Sequence, residues 1–342
     1  MARSIQLAYA ASVQALWAAA EASLTHSASP LTASLAWAAA WFTGYSIGVR
    51  QAAAARGRRR LTLASGLLAV GGYLLLAMGG HPLVSYSILT LSLSLAVSAA
   101  VAAIVNEDDY ATWRGSIASA KATVALASLA FLTAASHLGM EGLAAASVTL
   151  AAVAAPSFWD PIIPPAKLRL LDRFAEEAAL LRPRPAMAWR DIVWRLAILA
   201  GLLAVARVTL LSASSHQLAG MVHAAGLAAG SLAAARHERP GPGLAGLAGL
   251  AGAAAALLGL DPLGLALVSL GHGYADTALL VVALEHTPTG APRYTLSALA
   301  WMMAGALSIA ILNTLGVSVE EAAAAIAAVV FAASLRGRPR WD

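Results

Sequence analysis

Seven polar or ionisable side chains lie inside otherwise apolar stretches of this sequence, and they are the residues on which chemistry would depend. They are Gln14, Glu21, Lys121, Arg207, His223, His272 and Asp276. His272 and Asp276, in "GHGYAD", are four residues apart and would share one face of a helix. Side chains of these types suit two tasks, the binding of a polar solute and the transfer of a proton. Lys121 and Arg207 favour an anionic solute.

Each of these residues also has a structural interpretation. Glu21 and Arg207 would either extend to lipid headgroups or form a latch with each other. His223 would be a hydrogen-bonded packing residue, and His272 would bond a neighbouring carbonyl. Lys121 and Asp276 lie near the middle of their segments, where an ionisable group costs about 2.5–3.5 kcal/mol. For these two we keep three roles open: solute binding, proton coupling with His272 adjusting Asp276, and a buried pair that joins two parts of the protein.

The composition identifies the solvent around these residues as lipid. Of 342 residues, 60% are hydrophobic and 11% are charged, whereas soluble domains carry about 25% charged residues. Apolar stretches of about 20 residues, enough for a helix to span a bilayer, recur along the chain. We therefore predict an all-α polytopic membrane protein. The chain has no cysteine, which excludes thiolate metal sites, and we expect no metal and no cofactor. Its net charge of +5 is not gathered on an aqueous domain, so we expect no nucleic-acid partner.

Breaks at Pro, Gly and charge clusters divide the chain into twelve predicted transmembrane helices. Their ranges are 4–24, 31–53, 60–79, 83–105, 113–135, 142–158, 189–212, 216–235, 243–260, 263–285, 294–315 and 319–335. Apart from Lys121 and Arg207, every Lys and Arg belongs to a terminus or to alternate connectors, and the six opposite connectors have none. Because basic residues near span ends stay cytoplasmic, this predicts a plasma-membrane protein with both termini in the cytoplasm.

The two halves of the sequence repeat the same features. The longest connector, 159–188, separates an N-terminal six-helix bundle, 1–158, from a C-terminal one, 189–342, and carries a short amphipathic helix predicted to lie on the cytoplasmic surface. The second and eighth helices both end in G-x-x-x-G, which permits close helix approach. The connectors "NEDDYATWR" and "EHTPTGAPR" each open the next helix with Arg. These features lie at equivalent positions in the two halves, on the same side of the membrane and on corresponding helices, which indicates a duplication.

The chain resembles the major facilitator superfamily of secondary transporters along nearly its whole length. The most specific local match is "RGRRRLTLASGLLAVGGYLLLA", which is similar to that family's signature between helices 2 and 3. Gly57, Arg58 and Arg59 match the end of the signature. Arg50 stands where the first Gly belongs, and Ala54 stands where an Asp belongs. In the family that Asp helps to lock the cytoplasmic gate, so its absence implies a weakened or rebuilt gate.

The resemblance implies two pseudo-symmetric six-helix bundles that rock about a central site and expose it alternately to either side. In the family, helices 1, 4, 7 and 10 line the cavity, with 2, 5, 8 and 11 beside them, and all seven polar residues fall on these helices. We therefore expect a monomeric secondary transporter in the lipid bilayer that moves a small solute, with an inclination toward anions and with proton coupling through Asp276. The gating candidates are Glu21, Arg56, Arg58, Arg59, Arg60, Glu107, Asp108, Arg114, Glu285 and Arg293.

Two other functions stay open at this stage. The first is a transporter-like protein that transports nothing and serves as an assembly or binding partner, which the missing signature Asp would suit. The second is an intramembrane lipid or prenyl transferase, because "NEDDY" is similar to the Asp-rich motifs that hold Mg²⁺ and diphosphate. Such a site needs two acidic clusters, and the other candidate, "LDRFAEE", has an Arg between its acids. We therefore expect that the protein is not an enzyme.

Overall fold

A computed structural model describes residues 2–24, 28–51, 55–107, 113–157, 188–213, 219–237, 240–286 and 292–336. The amphipathic helix predicted within the connector 159–188 lies outside these residues. The described residues form twelve α-helices, one for each predicted span. The first four are α1 (Ala2–Leu24), α2 (Pro30–Gln51), α3 (Ala55–Ala77) and α4 (Pro82–Glu107). Two of these helices, α2 and α4, begin with proline, which has no N–H and is tolerated at a position where the N–H has no partner inside the helix.

The next helix, Trp113–Ala154, is broken at Gly139 into α5 (113–138) and α6 (140–154), and a 3₁₀ turn, Ala155–Ser157, follows. Gly139 has φ 73° and ψ 167°, a conformation that is essentially restricted to glycine. The predicted connector between these two helices is therefore reduced to one residue. The remaining helices are α7 (Ala188–Ala213), α8 (Ala219–Arg236), α9 (Pro242–Leu257), α10 (Asp261–His286), α11 (Pro292–Thr314) and α12 (Val319–Arg336).

Six of the described helical segments are long and apolar enough to cross a membrane: Arg56–Ala77, Pro82–Val101, Gly115–Ala134, Gly139–Ser157, Ile192–Leu211 and Asp261–Val282. Large apolar side chains are exposed around the bundle, among them Leu67, Leu126, Leu232, Ile311 and Val329. Such surface is stable in lipid but would aggregate in water. The chain is a multi-pass membrane protein.

Hydrogen bonds made by side chains near the helix ends identify one face of the bundle. Gln6, near the start of α1, donates a hydrogen bond to Ser157 Oγ (3.0 Å), which follows α6. Arg195, near the start of α7, donates to the carbonyl oxygen of Ala333 (3.1 Å), near the end of α12. We call this end, where α1 and α7 begin, the N-face, and the other end the opposite face.

Helices α2 and α8 lie close to their neighbours because of the glycines in their G-x-x-x-G motifs, as predicted. A Cβ atom on Gly44 would lie 1.7 Å from Ser94 Oγ of α4, and one on Gly230 would lie 2.1 Å from the carbonyl oxygen of Leu270 in α10. The prediction of close helix approach is confirmed. Contacts between the first six helices and the last six run mainly through α2 with α11 and α5 with α8, with smaller contacts of α1 with α7 and α5 with α10.

Candidate functional site

Lys121 of α5 and Asp276 of α10 form an ion pair between the two halves of the chain. Lys121 Nζ donates a hydrogen bond to Asp276 Oδ2. The side chains are 19% and 36% exposed, although Tyr274, Ala275 and Thr277 around Asp276 are buried. Asp276 is therefore partly exposed at the contact between α10 and α5. Among the described residues no other hydrogen bond is made by this amine or carboxylate.

A second ion pair joins the halves nearer the opposite face. Arg207 Nη2 of α7 lies 3.8 Å from Glu21 Oε1 of α1, and the side chains are only 5% and 3% exposed. Tyr86 of α4 donates a hydrogen bond from its hydroxyl to the same Glu21 oxygen at 3.3 Å. The guanidinium carbon of Arg207 lies 5.4 Å from the centroid of the Trp17 ring, within range of a cation–π interaction.

His223 of α8 holds the arginine from the other side. Its Nε2 is 3.1 Å from Arg207 Nη1, and its Nδ1 is 3.0 Å from Ser269 Oγ of α10. We refer to Glu21, Tyr86, Arg207, His223 and Ser269 together as the latch network. It links α1 and α4 in the first half to α7, α8 and α10 in the second.

The other two candidates for solute or proton binding are placed differently. His272 Nδ1 lies 3.1 Å from the backbone oxygen of Ala200 in α7, so this nitrogen carries a hydrogen and donates it. Gln14 is half-buried in α1 and makes no side-chain hydrogen bond within the described part of the chain. The ion pairs thus bring together four of the seven polar residues, and His223 joins one of these pairs.

The arginine cluster of the N-face is helical, which corrects the expectation that helix 3 starts at residue 60. Helix α3 begins at Ala55, so Arg56, Arg58, Arg59 and Arg60 occupy its first turns. Alanine and arginine are strong helix formers, and they extend the helix into the predicted connector. Arg58 is completely buried, whereas Arg56 and Arg60 are exposed. Only part of the cluster is therefore a solvated surface.

The remaining gating candidates lie near the ends of four helices or outside the described residues. Asp108 lies outside the described residues. Glu107 ends α4, Arg114 lies in α5, Glu285 lies in α10 and Arg293 lies in α11. The predicted N-face latch stays a prediction.

The sequence-based prediction missed two residues of the site. Tyr86 and Ser269 belong to the latch network. Each is a common residue type on a helix distant in sequence from its partner. No local pattern marks such a residue, because only packing of the helices brings the partners together.

No protein-family model and no curated protein matches the sequence. Solved structures do match. The major facilitator superfamily proton:xylose symporter XylE, bound to 6-bromo-6-deoxy-D-glucose, has a TM-score of 0.60 and 11% identity, covering 99% of this chain and 94% of XylE. The human organic anion transporter MFSD10 (TETRAN) has a TM-score of 0.57 and 16% identity, covering 96% and 97%. XylE from E. coli in a partially occluded inward-open conformation has a TM-score of 0.56 and 12% identity, covering 99% and 96%. The chain has the fold of the major facilitator superfamily, as the resemblance of its sequence to that family predicted.

Proposed function

We propose that this protein is a secondary transporter that moves a small solute by rocker-switch alternating access. The proposal rests on two ion pairs, Lys121–Asp276 and Glu21–Arg207, which join the two halves at different depths. Charges inside a membrane protein are rare and mark substrate or ion pathways. Pairs that join the halves can form in one conformation and break in another, and so control which conformation is populated.

The rocking units in this proposal are two pseudo-symmetric bundles, 1–158 and 189–342, which together contribute twelve spans. Positive-φ glycines within the described residues support the duplication. They lie between α3 and α4 (Gly79), α9 and α10 (Gly259), α5 and α6 (Gly139), and α11 and α12 (Gly316). These are equivalent connections in the two halves. The basic residues at the N-face support cytoplasmic termini in a plasma membrane.

The two pairs have different roles in this scheme because they differ in exposure. Glu21–Arg207 is buried and holds the opposite face closed, whereas Lys121–Asp276 is accessible and provides the solute site. An anionic solute would compete with Asp276 for Lys121, and the released carboxylate could then take up a proton. Organic anion transport by MFSD10 and proton coupling by XylE agree with this direction.

Distance measurements between spin labels test the alternating access directly. The chain has no cysteine, so cysteine pairs can be introduced without removing native ones. His81→Cys with Asp261→Cys reports on the opposite face, and Ser4→Cys with Arg236→Cys reports on the N-face, since all four positions are exposed. In lipid nanodiscs we expect two distance populations for each pair, with opposite changes at the two faces.

Glu21→Gln should increase the long-distance population of the opposite-face pair, because it removes the charge that Arg207 binds. Glu320→Gln, at the start of α12 on the same face, is the matched control and should leave both distributions unchanged. A single unchanged distance at both faces, in Glu21→Gln as well, would favour the transport-inactive assembly partner instead. A thermal-shift screen with sugars, carboxylates, amino acids and cationic drugs identifies the solute class, and we expect carboxylates to stabilise the protein.

A further inference from the structure

The contact between Arg207 and His223 determines which nitrogen of the imidazole carries a proton. Arginine has only donors and stays charged in proteins, so Nε2, at 3.1 Å from Arg207 Nη1, must present its lone pair. A neutral imidazole keeps its hydrogen on the other nitrogen, and Nδ1–H therefore donates to Ser269 Oγ at 3.0 Å. His223 is neutral in this conformation, in the Nδ1–H form.

A proton on Nε2 of His223 is incompatible with this arrangement. It would place an N–H group against the N–H group of Arg207 and bring two positive charges to hydrogen-bond distance. It would also change the charge of the latch network from zero, with Glu21 negative and Arg207 positive, to +1. Both side chains of the ion pair are at most 5% exposed, and an uncompensated charge in such surroundings is strongly destabilising. Water entering from the opposite face would relieve it.

Glu21, which contacts Arg207, is the other group of the latch network that can take up a proton as the pH falls, and its protonation would give a pH dependence that survives in His223→Gln. On α7, Arg207 contacts His223 directly, and on α10 His272 lies one helical turn after Ser269, which contacts His223 Nδ1. On α5, Lys121 is bound to Asp276 of α10, and His137 is exposed. His272 differs from His223 in one respect, because its Nδ1–H donates to a carbonyl and this bond survives protonation of its Nε2. Protonation of His272 therefore does not disrupt the latch network directly.

We infer that His223 is a proton-binding residue whose protonation releases Arg207 and opens the opposite face. The inference rests on the proposed alternating access and makes it proton-dependent at the latch, separately from any proton taken up by Asp276. His223 acts as a positioning residue: in its neutral form it holds the Arg207 guanidinium beside Glu21.

The opposite-face spin-label pair, His81→Cys with Asp261→Cys, tests this inference between pH 8 and pH 5 in nanodiscs. Uptake of one proton changes the ratio of open to closed protein by at most about tenfold per pH unit. We expect the open fraction to rise toward low pH with a slope that approaches this limit. His223→Gln can still accept from Arg207 and donate to Ser269 but cannot titrate, and it should remove the pH dependence. His137→Gln, an exposed control at the end of α5, should retain it.

A second measurement does not depend on a variant. In protein labelled with ¹⁵N-histidine, the His223 resonances, identified by their absence from His223→Gln, should show the Nδ1–H form at neutral pH. An Nε2–H form, or a pH dependence that survives in His223→Gln, overturns the inference while leaving the alternating access intact. Loss of the pH dependence in His272→Gln but not in His223→Gln overturns it equally. A single distance at all pH values, in Glu21→Gln too, refutes the alternating access and the inference with it.

Discussion

Replacing Arg207 by Met leaves the Glu21 carboxylate buried without its cation. The two charges are 3.8 Å apart, and at an effective dielectric constant of about 20 their attraction is about 4 kcal/mol. Removing one partner of a buried pair typically destabilises a protein by about 3–5 kcal/mol. Because the Tyr86 hydroxyl still donates to Glu21, we expect Arg207→Met to lower the free energy of unfolding by about 3 kcal/mol, at the low end of that range.

A double-mutant cycle separates this effect from general damage. We expect Glu21→Gln alone to have a smaller effect than Arg207→Met, since Arg207 keeps His223 and the Trp17 ring as neighbours. The double variant Glu21→Gln/Arg207→Met should lie within about 1 kcal/mol of the wild type, because replacing both members of a buried pair is often neutral. The free energies come from unfolding in SDS, followed by tryptophan fluorescence. A coupling energy below about 1 kcal/mol, typical of exposed pairs, would refute the reasoning.

Three further predictions concern the central pair and the backbone. Asp276→Asn should abolish uptake driven by a pH gradient in proteoliposomes, measured with the solute found in the thermal-shift screen, and unchanged uptake would exclude its role in proton coupling. Gly230→Ala should lower the unfolding temperature, because its Cβ would lie 2.1 Å from a backbone oxygen. Gly71→Ala should leave the unfolding temperature unchanged, because nothing lies within 4 Å of a Cβ at that position. Equal effects of the two substitutions would contradict the packing argument. Gly139→Ala should destabilise by about 1–3 kcal/mol because of its φ of 73°, measured by the same SDS unfolding, whereas an effect no larger than that of Gly115→Ala would show that the kink tolerates other residues.

The helices could be predicted from the sequence because their causes are local. Runs of apolar residues must form helices in lipid, where every backbone N–H and C=O needs a partner within the segment. The prediction identified all twelve helices, but it was wrong about the start of α3 and about the length of the connection between α5 and α6. Arg56–Arg60 follow a run of alanines and extend α3, while Gly139 turns the chain within a single residue.

The candidate site could likewise be predicted only in part. The residues that are unusual in lipid could be identified before the structure was known, since a Lys, Arg, Asp or Glu in an apolar segment is recognisable from the amino-acid order alone. The contact of Lys121 with Asp276, and the position of Arg207 between Glu21 and His223, could be found only from the packed helices. These partners come from helices far apart in the chain, and their pairing depends on which helix faces pack together. The proton position on His223 likewise follows from its neighbours, because an isolated imidazole can carry its hydrogen on either nitrogen.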